Sequence, residues 1–382
     1  MKRRAPFLSL LFTAILSLGS SAAQAAEPGA IENDLVITVQ GEERHVSLDE
    51  ALKLLDIPSA SLVLIDEGRI AFARAYGKEA TPDTVYQAAS LSKFVAAIGA
   101  MCLVEDGTLD LDQDVNDKLT SWRVPSNALD ATHKVTLRGL LSMTGGIGVP
   151  GFLGYEAGAP LPTLGQILDG APPANSPPVT VIAVPGRAYH YSGGGYEIAE
   201  ALMQDATGKP FPQLMQDLVL GPMGMTASSF DQPPGAAFAA KAASGHFGDG
   251  TELPGRWHVF PEHAAAGLWS TPTDLAKLLV ELADVWQGLS SIFLRRQTLE
   301  EMLTPQNGPY GLGAAIAGEG ASLVLMKRGQ NVGYQGYLIL YPARGQGMVV
   351  MTNSDNGSKL AEALIKRAAS AYGWPELPPL AD

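Results

Sequence analysis

The chain reads as an α/β protein in which an antiparallel sheet, flanked by helices, is assembled from both chain ends around an inserted, mainly helical lobe. Three observations carry this expectation. Strand-like alternation occurs near both ends of the chain; the middle is rich in Pro/Gly loops and helical pieces without such alternation; and 382 residues is long for a single core. The expected division is residues 27–105 and 265–375 for the α/β lobe and 106–264 for the insertion.

Residues 1–25 have the form of a secretory signal peptide. Met1-Lys2-Arg3-Arg4 supplies a basic start, Phe7 to Leu18 an apolar run too short to span a bilayer comfortably, and Ala23-Gln24-Ala25 a small-x-small cleavage site. No cysteine follows the apolar run to carry a lipid, so a secreted, periplasmic protein without a stable membrane anchor is expected. Cleavage there removes three basic groups and no acidic ones, taking the formal charge from −13 to −16. So negative a chain is a poor partner for nucleic acid or anionic lipid, and a small-molecule substrate is expected instead.

Leu35–Val39, Leu62–Ile65 and Ile70–Ala75 read as strands, the last two joined as a hairpin through Asp66-Glu67-Gly68-Arg69. A helix follows from Ser90: Phe94, Val95, Ile98, Met101 and Cys102 recur at helical spacing, and Asp106-Gly107 ends it. Cys102, the only cysteine, lies on that apolar face and is expected to be a buried structural thiol. Strand signals return at Leu323–Met326, Tyr337–Tyr341 and Met348–Thr352, before a closing helix from about Lys359 to Ala371.

Chemistry is concentrated at Ser90-Leu91-Ser92-Lys93. A serine three residues before a lysine puts a hydroxyl and an amine on one helical face, so that the amine can activate the alcohol if burial and nearby positive charge depress its pKa. About one such tetrad is expected by chance in a chain of this kind, with Ser90 an ordinary N-cap, so its context decides. No Gly-x-Ser-x-Gly elbow is present, and His258, Glu262 and His263 lack the helical spacing of metal ligands, so a Ser-His-Asp or metal mechanism is disfavoured and no cofactor is called for.

That context carries a family resemblance. Thr81-Pro82-Asp83-Thr84-Val85-Tyr86 before the tetrad, and Leu103-Val104-Glu105-Asp106-Gly107 and Leu109-Asp110-Leu111-Asp112 after it, resemble the serine β-lactamase superfamily, nearest to its class C β-lactamase, D-Ala-D-Ala carboxypeptidase and family VIII esterase branch. Pro185-Gly186 through Tyr191-Ser192-Gly193 and Gly195-Tyr196 resemble the second motif, and Gly221-Pro222-Met223-Gly224-Met225-Thr226 the segment after it. Tyr189 offers the motif tyrosine in another register, but the spacing to Gly195-Tyr196 favours Tyr191. Lys327-Arg328-Gly329-Gln330 followed by Gly333-Tyr334 resembles the third motif. The likeness covers about residues 45 to 372 and is specific to the superfamily, not to one activity.

The resemblance implies a β-lactamase/transpeptidase-like fold and an acyl-serine hydrolase. In it Ser90 is the nucleophile, Lys93 and Tyr191 carry protons, Lys327 lends charge, Gly329 admits substrate, and the N–H groups of Ser90 and Gln330 form an oxyanion hole. Gly193 stands where the family has an asparagine that grips an acylamide arm, and Arg328 replaces the usual hydroxyl residue, where it either holds a substrate carboxylate or points outward. Esters, D-Ala-D-Ala-like peptides and β-lactams remain open as substrates, with small esters expected to be favoured. The competing expectation is a catalytically silent protein that binds peptidoglycan.

Overall fold

The computed structural model describes residues 29–380 except 79 and 292; the leader-like segment lies outside the described residues. Ten strands are present among them: β1 (Leu35–Val39), β2 (Glu42–Val46), β3 (Ser59–Asp66), β4 (Arg69–Gly77), β5 (Tyr86–Gln87), β6 (Trp269–Ser270), β7 (Ala315–Ala317), β8 (Val324–Asn331), β9 (Tyr334–Tyr341) and β10 (Gln346–Thr352). Five helices matter for the site: α1 (Leu91–Glu105), α2 (Gly193–Thr207), α3 (His263–Ala266), α4 (Pro272–Gln287) and α5 (Gly357–Ala371).

The main sheet has six strands in the order β4-β3-β10-β9-β8-β7, every neighbouring pair antiparallel. Strand β3, from the first part of the chain, is zipped to β10, its last strand, with Leu64 opposite Met348 and Ala60 opposite Thr352. The β3–β4 hairpin turns at Glu67 (φ 50°) and Gly68 (φ 73°), a pair of left-handed residues that matches the right-handed twist of the flanking strands.

Both faces of the sheet are covered, and the two-residue period of its strands decides what goes where. Val63, Ile65, Leu325, Leu338, Leu340, Val349 and Met351 enter the larger core, shared with α1, α2 and α4. Their neighbours Leu62, Leu64, Met326, Tyr337, Ile339, Met348 and Val350 enter a second core beneath α5 and β1. Between β5 and β6 the described residues contain the 15-residue helices α1 and α2, shorter helices, turns and isolated bridges but no longer strand, as the unalternating middle of the sequence suggests.

Several elements differ from the sequence expectation. Strand β8 runs to Asn331, so Lys327 lies inside the strand and not at its end. The short strands β2, β5, β6 and β7 were not legible. The two-residue ladder of β5 and β6 places Gln87 opposite Trp269, drawing the segment before Ser90 against the segment after α3.

Candidate active site

Ser90 sits at the entry to α1, on a turn bent by Ala89, whose φ of +51° is left-handed for a residue with a Cβ. The Ser90 side chain makes no cap hydrogen bond, so the ordinary N-cap reading does not hold. Ser92 instead secures the turn: its hydroxyl donates to Ala89 O and accepts the Leu268 N–H at 3.0 Å. Ser90 Oγ is left half-buried, with Lys93 Nζ 3.0 Å away.

Lys93 is 1% exposed, and its Nζ also donates to Ala265 O at 2.8 Å. Burial lowers its pKa from the ordinary lysine value; Tyr191 opposes this, and the Lys327 charge lowers it further. The tyrosine lies between the two amines, Lys93 Nζ being 5.3 Å and Lys327 Nζ 4.9 Å from its ring centre. Lys327 Nζ donates to Tyr191 OH at 3.3 Å and to Tyr310 OH at 3.0 Å. Tyr189, the alternative register, packs its ring on Tyr310 with centres 5.3 Å apart.

Strand β8 supplies the remaining wall through its alternation. Lys327 and Gly329 share the face of Leu325, toward α1, and Gly329 approaches the Ser90 turn so closely that a Cβ there would lie 2.3 Å from Ala88 O and 3.1 Å from Ser90 N. Only glycine fits that contact. Gln330 directs its side chain to the other face and is exposed, leaving its backbone as what it can offer the site. Arg328 requires a correction: paired with Tyr337 in the ladder, it lies over that ring, 5.8 Å from its centre, on the sheet face opposite Lys327. A strand cannot point consecutive side chains the same way, so Arg328 does not stand beside Ser90 to hold a carboxylate.

Gly193 opens α2, two residues after Tyr191. The loop before it is stitched to this start: the N–H of Gly193 and Gly194 donate to Pro150 O and Val149 O, and Ser192 Oγ donates to Gly148 O. The half-buried Phe152 consequently lies on Gly193, where a Cβ would be 3.0 Å from the ring and 3.3 Å from Pro150 O. An aromatic edge therefore fills space that a longer residue at 193 would need.

Sequence reasoning missed Tyr310, Glu197 and the Ala265 carbonyl. Tyr310, in the Gly308–Gly313 turn region, had no motif of its own, and the Ala265 contribution is a backbone atom that no side-chain pattern reveals. Cys102 is half-buried, and burial, with Glu105 and Asp106 adding to it, pushes its thiol up to about 12, far from a reactive thiolate.

The β-lactamase family model matches residues 48–372 of the chain. The protein flp of Staphylococcus aureus (strain N315) is 23% identical over 333 residues, covering 81% of this chain and 62% of that protein. The chain thus spans about three fifths of the length of this curated relative. Among solved structures, the octameric penicillin-binding protein homologue from Pyrococcus abyssi superposes with a TM-score of 0.70 at 24% identity, over 87% of this chain and 78% of the other. EstCE1, a hydrolase with promiscuous acyltransferase activity, gives 0.65 at 20% identity, over 82% and 95%. At such identities the superpositions establish the shared fold, while the family match over most of the chain establishes kinship: the protein belongs to the β-lactamase family, with its Ser-x-x-Lys tetrad on the first helix after the β5 segment.

Proposed function

We propose that the protein is a secreted acyl-transferring serine hydrolase that favours small esters over amide-bearing β-lactams. The observation that carries the chemistry is the 3.0 Å approach of the fully buried Lys93 amine to Ser90 Oγ. As a free amine, Lys93 takes the Ser90 proton while Oγ attacks the substrate carbonyl. The N–H groups of Ser90 and Gln330 receive the developing oxyanion. Lys93, now an ammonium, returns that proton through Tyr191 to the oxygen of the departing alcohol, and the same relay run in reverse takes a proton from the water that releases the acyl group and restores it to Ser90 Oγ.

The ester preference rests on Gly193 and Phe152. Without a side-chain amide at 193 the site lacks a donor and acceptor for an acylamide arm, and the ring beside it offers apolar surface instead. The displacement of Arg328 to the other sheet face removes the feature that pulled toward carboxylate-bearing substrates. The leader-like start of the sequence supports export.

Incubation with an aryl phosphonate or a penicillin, followed by intact-mass measurement and peptide mapping, tests the covalent step. One adduct on Ser90 is expected; an unmodified protein, or an adduct elsewhere, overturns the reading. A silent binding protein would give no turnover of an activated ester.

A further inference from the structure

Beneath Lys93 lies a group of buried acidic residues that the proposed chemistry does not use. Glu197 and Glu200 stand on α2, 0% and 1% exposed, and both reach the one-turn helix α3. Glu200 Oε2 accepts the Ala264 N–H at 2.9 Å, and its Oε1 lies 3.0 Å from His263 Nδ1. Glu197 Oε1 accepts the Ala265 N–H at 3.1 Å. Ala265 is the residue whose carbonyl receives Lys93 Nζ at 2.8 Å, and the next carbonyl, Ala266 O, receives Asn331 Nδ2 at 3.4 Å. Helix α3 is therefore fixed from both sides, and Glu197 and Lys93 grip the N–H and the C=O of a single residue.

We propose that Glu197 is a positioning residue for Lys93: by holding the Ala265 N–H it fixes the carbonyl that aims the amine at Ser90. The inference rests on the reading of Lys93 as the base. Glu197 Oε2 is buried without a hydrogen-bond partner among the described residues, an expensive state for an anion. Burial raises its pKa well above the usual carboxylate range, and Glu200 and Glu262 raise it further, against smaller opposing effects of the Ala265 N–H and Lys93. The groups acting on it are Glu200 on α2, Glu262 just before α3 and Lys93 on α1, while His263 faces Glu200 and Tyr155 bears on Glu262. A carboxyl raised in this way favours its neutral form, in which Oε1 still accepts the Ala265 N–H. Glutamine reproduces that acceptor and its neutrality, whereas alanine removes it and aspartate withdraws it by one methylene.

The test measures ester turnover per titrated active site across pH for the parent, Glu197→Gln, Glu197→Asp and Glu197→Ala, so that misfolded molecules are not counted. Glu197→Gln is expected within twofold of the parent with an unmoved acid limb. Glu197→Ala and Glu197→Asp are expected to lose at least tenfold in kcat with KM within twofold. Their acid limb should move to lower pH, because a Lys93 ammonium deprived of the Ala265 carbonyl is less favoured. If the alanine variant does not fold, the aspartate variant, which keeps most of the volume, carries the same test. Parent kcat and pH profile in both truncations overturn the assignment, as does a glutamine variant as impaired as alanine. A parent that forms no adduct on Ser90 overturns the underlying reading, and this proposal with it, and is distinguished by the mass spectrum alone.

Discussion

Replacing Lys93 by methionine separates chemistry from stability, and the structure gives the size of each effect. Methionine matches the length of the side chain and suits a site 1% exposed, so the helix and its packing should persist. Lost are the contact to Ser90 Oγ and the hydrogen bond to Ala265 O, about 1 kcal/mol each in net terms. Opposing this is the relief of burying a basic group. Burial holds the folded-state pKa below the ordinary value, so the unfolded chain binds a proton that the folded chain releases between that lowered pKa and about 10.4. Parent stability consequently rises with pH through that window and is penalised below it, a penalty the methionine variant does not carry. The net change near neutral pH is expected to stay under about 2 kcal/mol, whereas loss of the proton carrier should lower turnover by about 10²–10⁴-fold. Hydrolysis of p-nitrophenyl acetate by the variant, alongside a urea unfolding curve, measures both. A variant that keeps more than a tenth of parent kcat, while folded, would refute Lys93 as the base.

Ser90→Ala should abolish the phosphonate adduct while leaving the unfolding midpoint within about 1 kcal/mol of the parent, since the hydroxyl makes no cap; ester hydrolysis at the parent rate would contradict the assignment. Tyr191→Phe should reduce turnover about 10²-fold or more while His190→Ala does not, and the reverse order in a stopped-flow assay would point to a histidine mechanism. Specificity constants on one preparation should rank a short aryl ester well above nitrocefin, and Phe152→Ala should narrow the margin by raising KM for the ester; efficient nitrocefin turnover with negligible esterase activity would reverse the ordering. Glu262, buried and raised to about 7 chiefly by desolvation, contributes stability that is complete below about pH 4.3 and lost as pH rises through 7. Glu262→Gln should remove up to about 3 kcal/mol of that decline, detectable as a flatter melting temperature between pH 4.5 and 8.

The sheet was largely visible in the sequence because its central strands are apolar on both faces and each turn carries glycine or proline. Strand β8 was cut short because Lys327, Arg328 and Gln330 interrupt the apolar run, although Lys327 is itself buried. The alternation of that strand already implied that Lys327 and Arg328 point apart; the likeness to a motif had put both in the site. Ser90, Lys93, Tyr191, Lys327 and Gly329, which the structure gathers in one place, could be picked out because each lies in a local sequence signature. Tyr310 and Glu197 were not. A glutamate among Tyr196, Ile198 and Ala199 looks like a solvated helix position until the tertiary structure brings α3 against it, a contact between distant segments that leaves no period to detect.

The pairing of β3 with β10 has a consequence for how the molecule comes into being. Ser90, Lys93 and Tyr191 leave the ribosome long before Lys327, and β3 waits for a partner that follows much later in the chain, Met348 opposite Leu64. An incomplete chain therefore has the proposed nucleophile but neither the strand that covers it nor the second amine, and the loop that must close to bring them together makes folding slow. A chain exported unfolded, as the proposed secretion would have it, would reach its destination before the proposed hydrolysis could begin, its site completed only by the arrival of its own last strands.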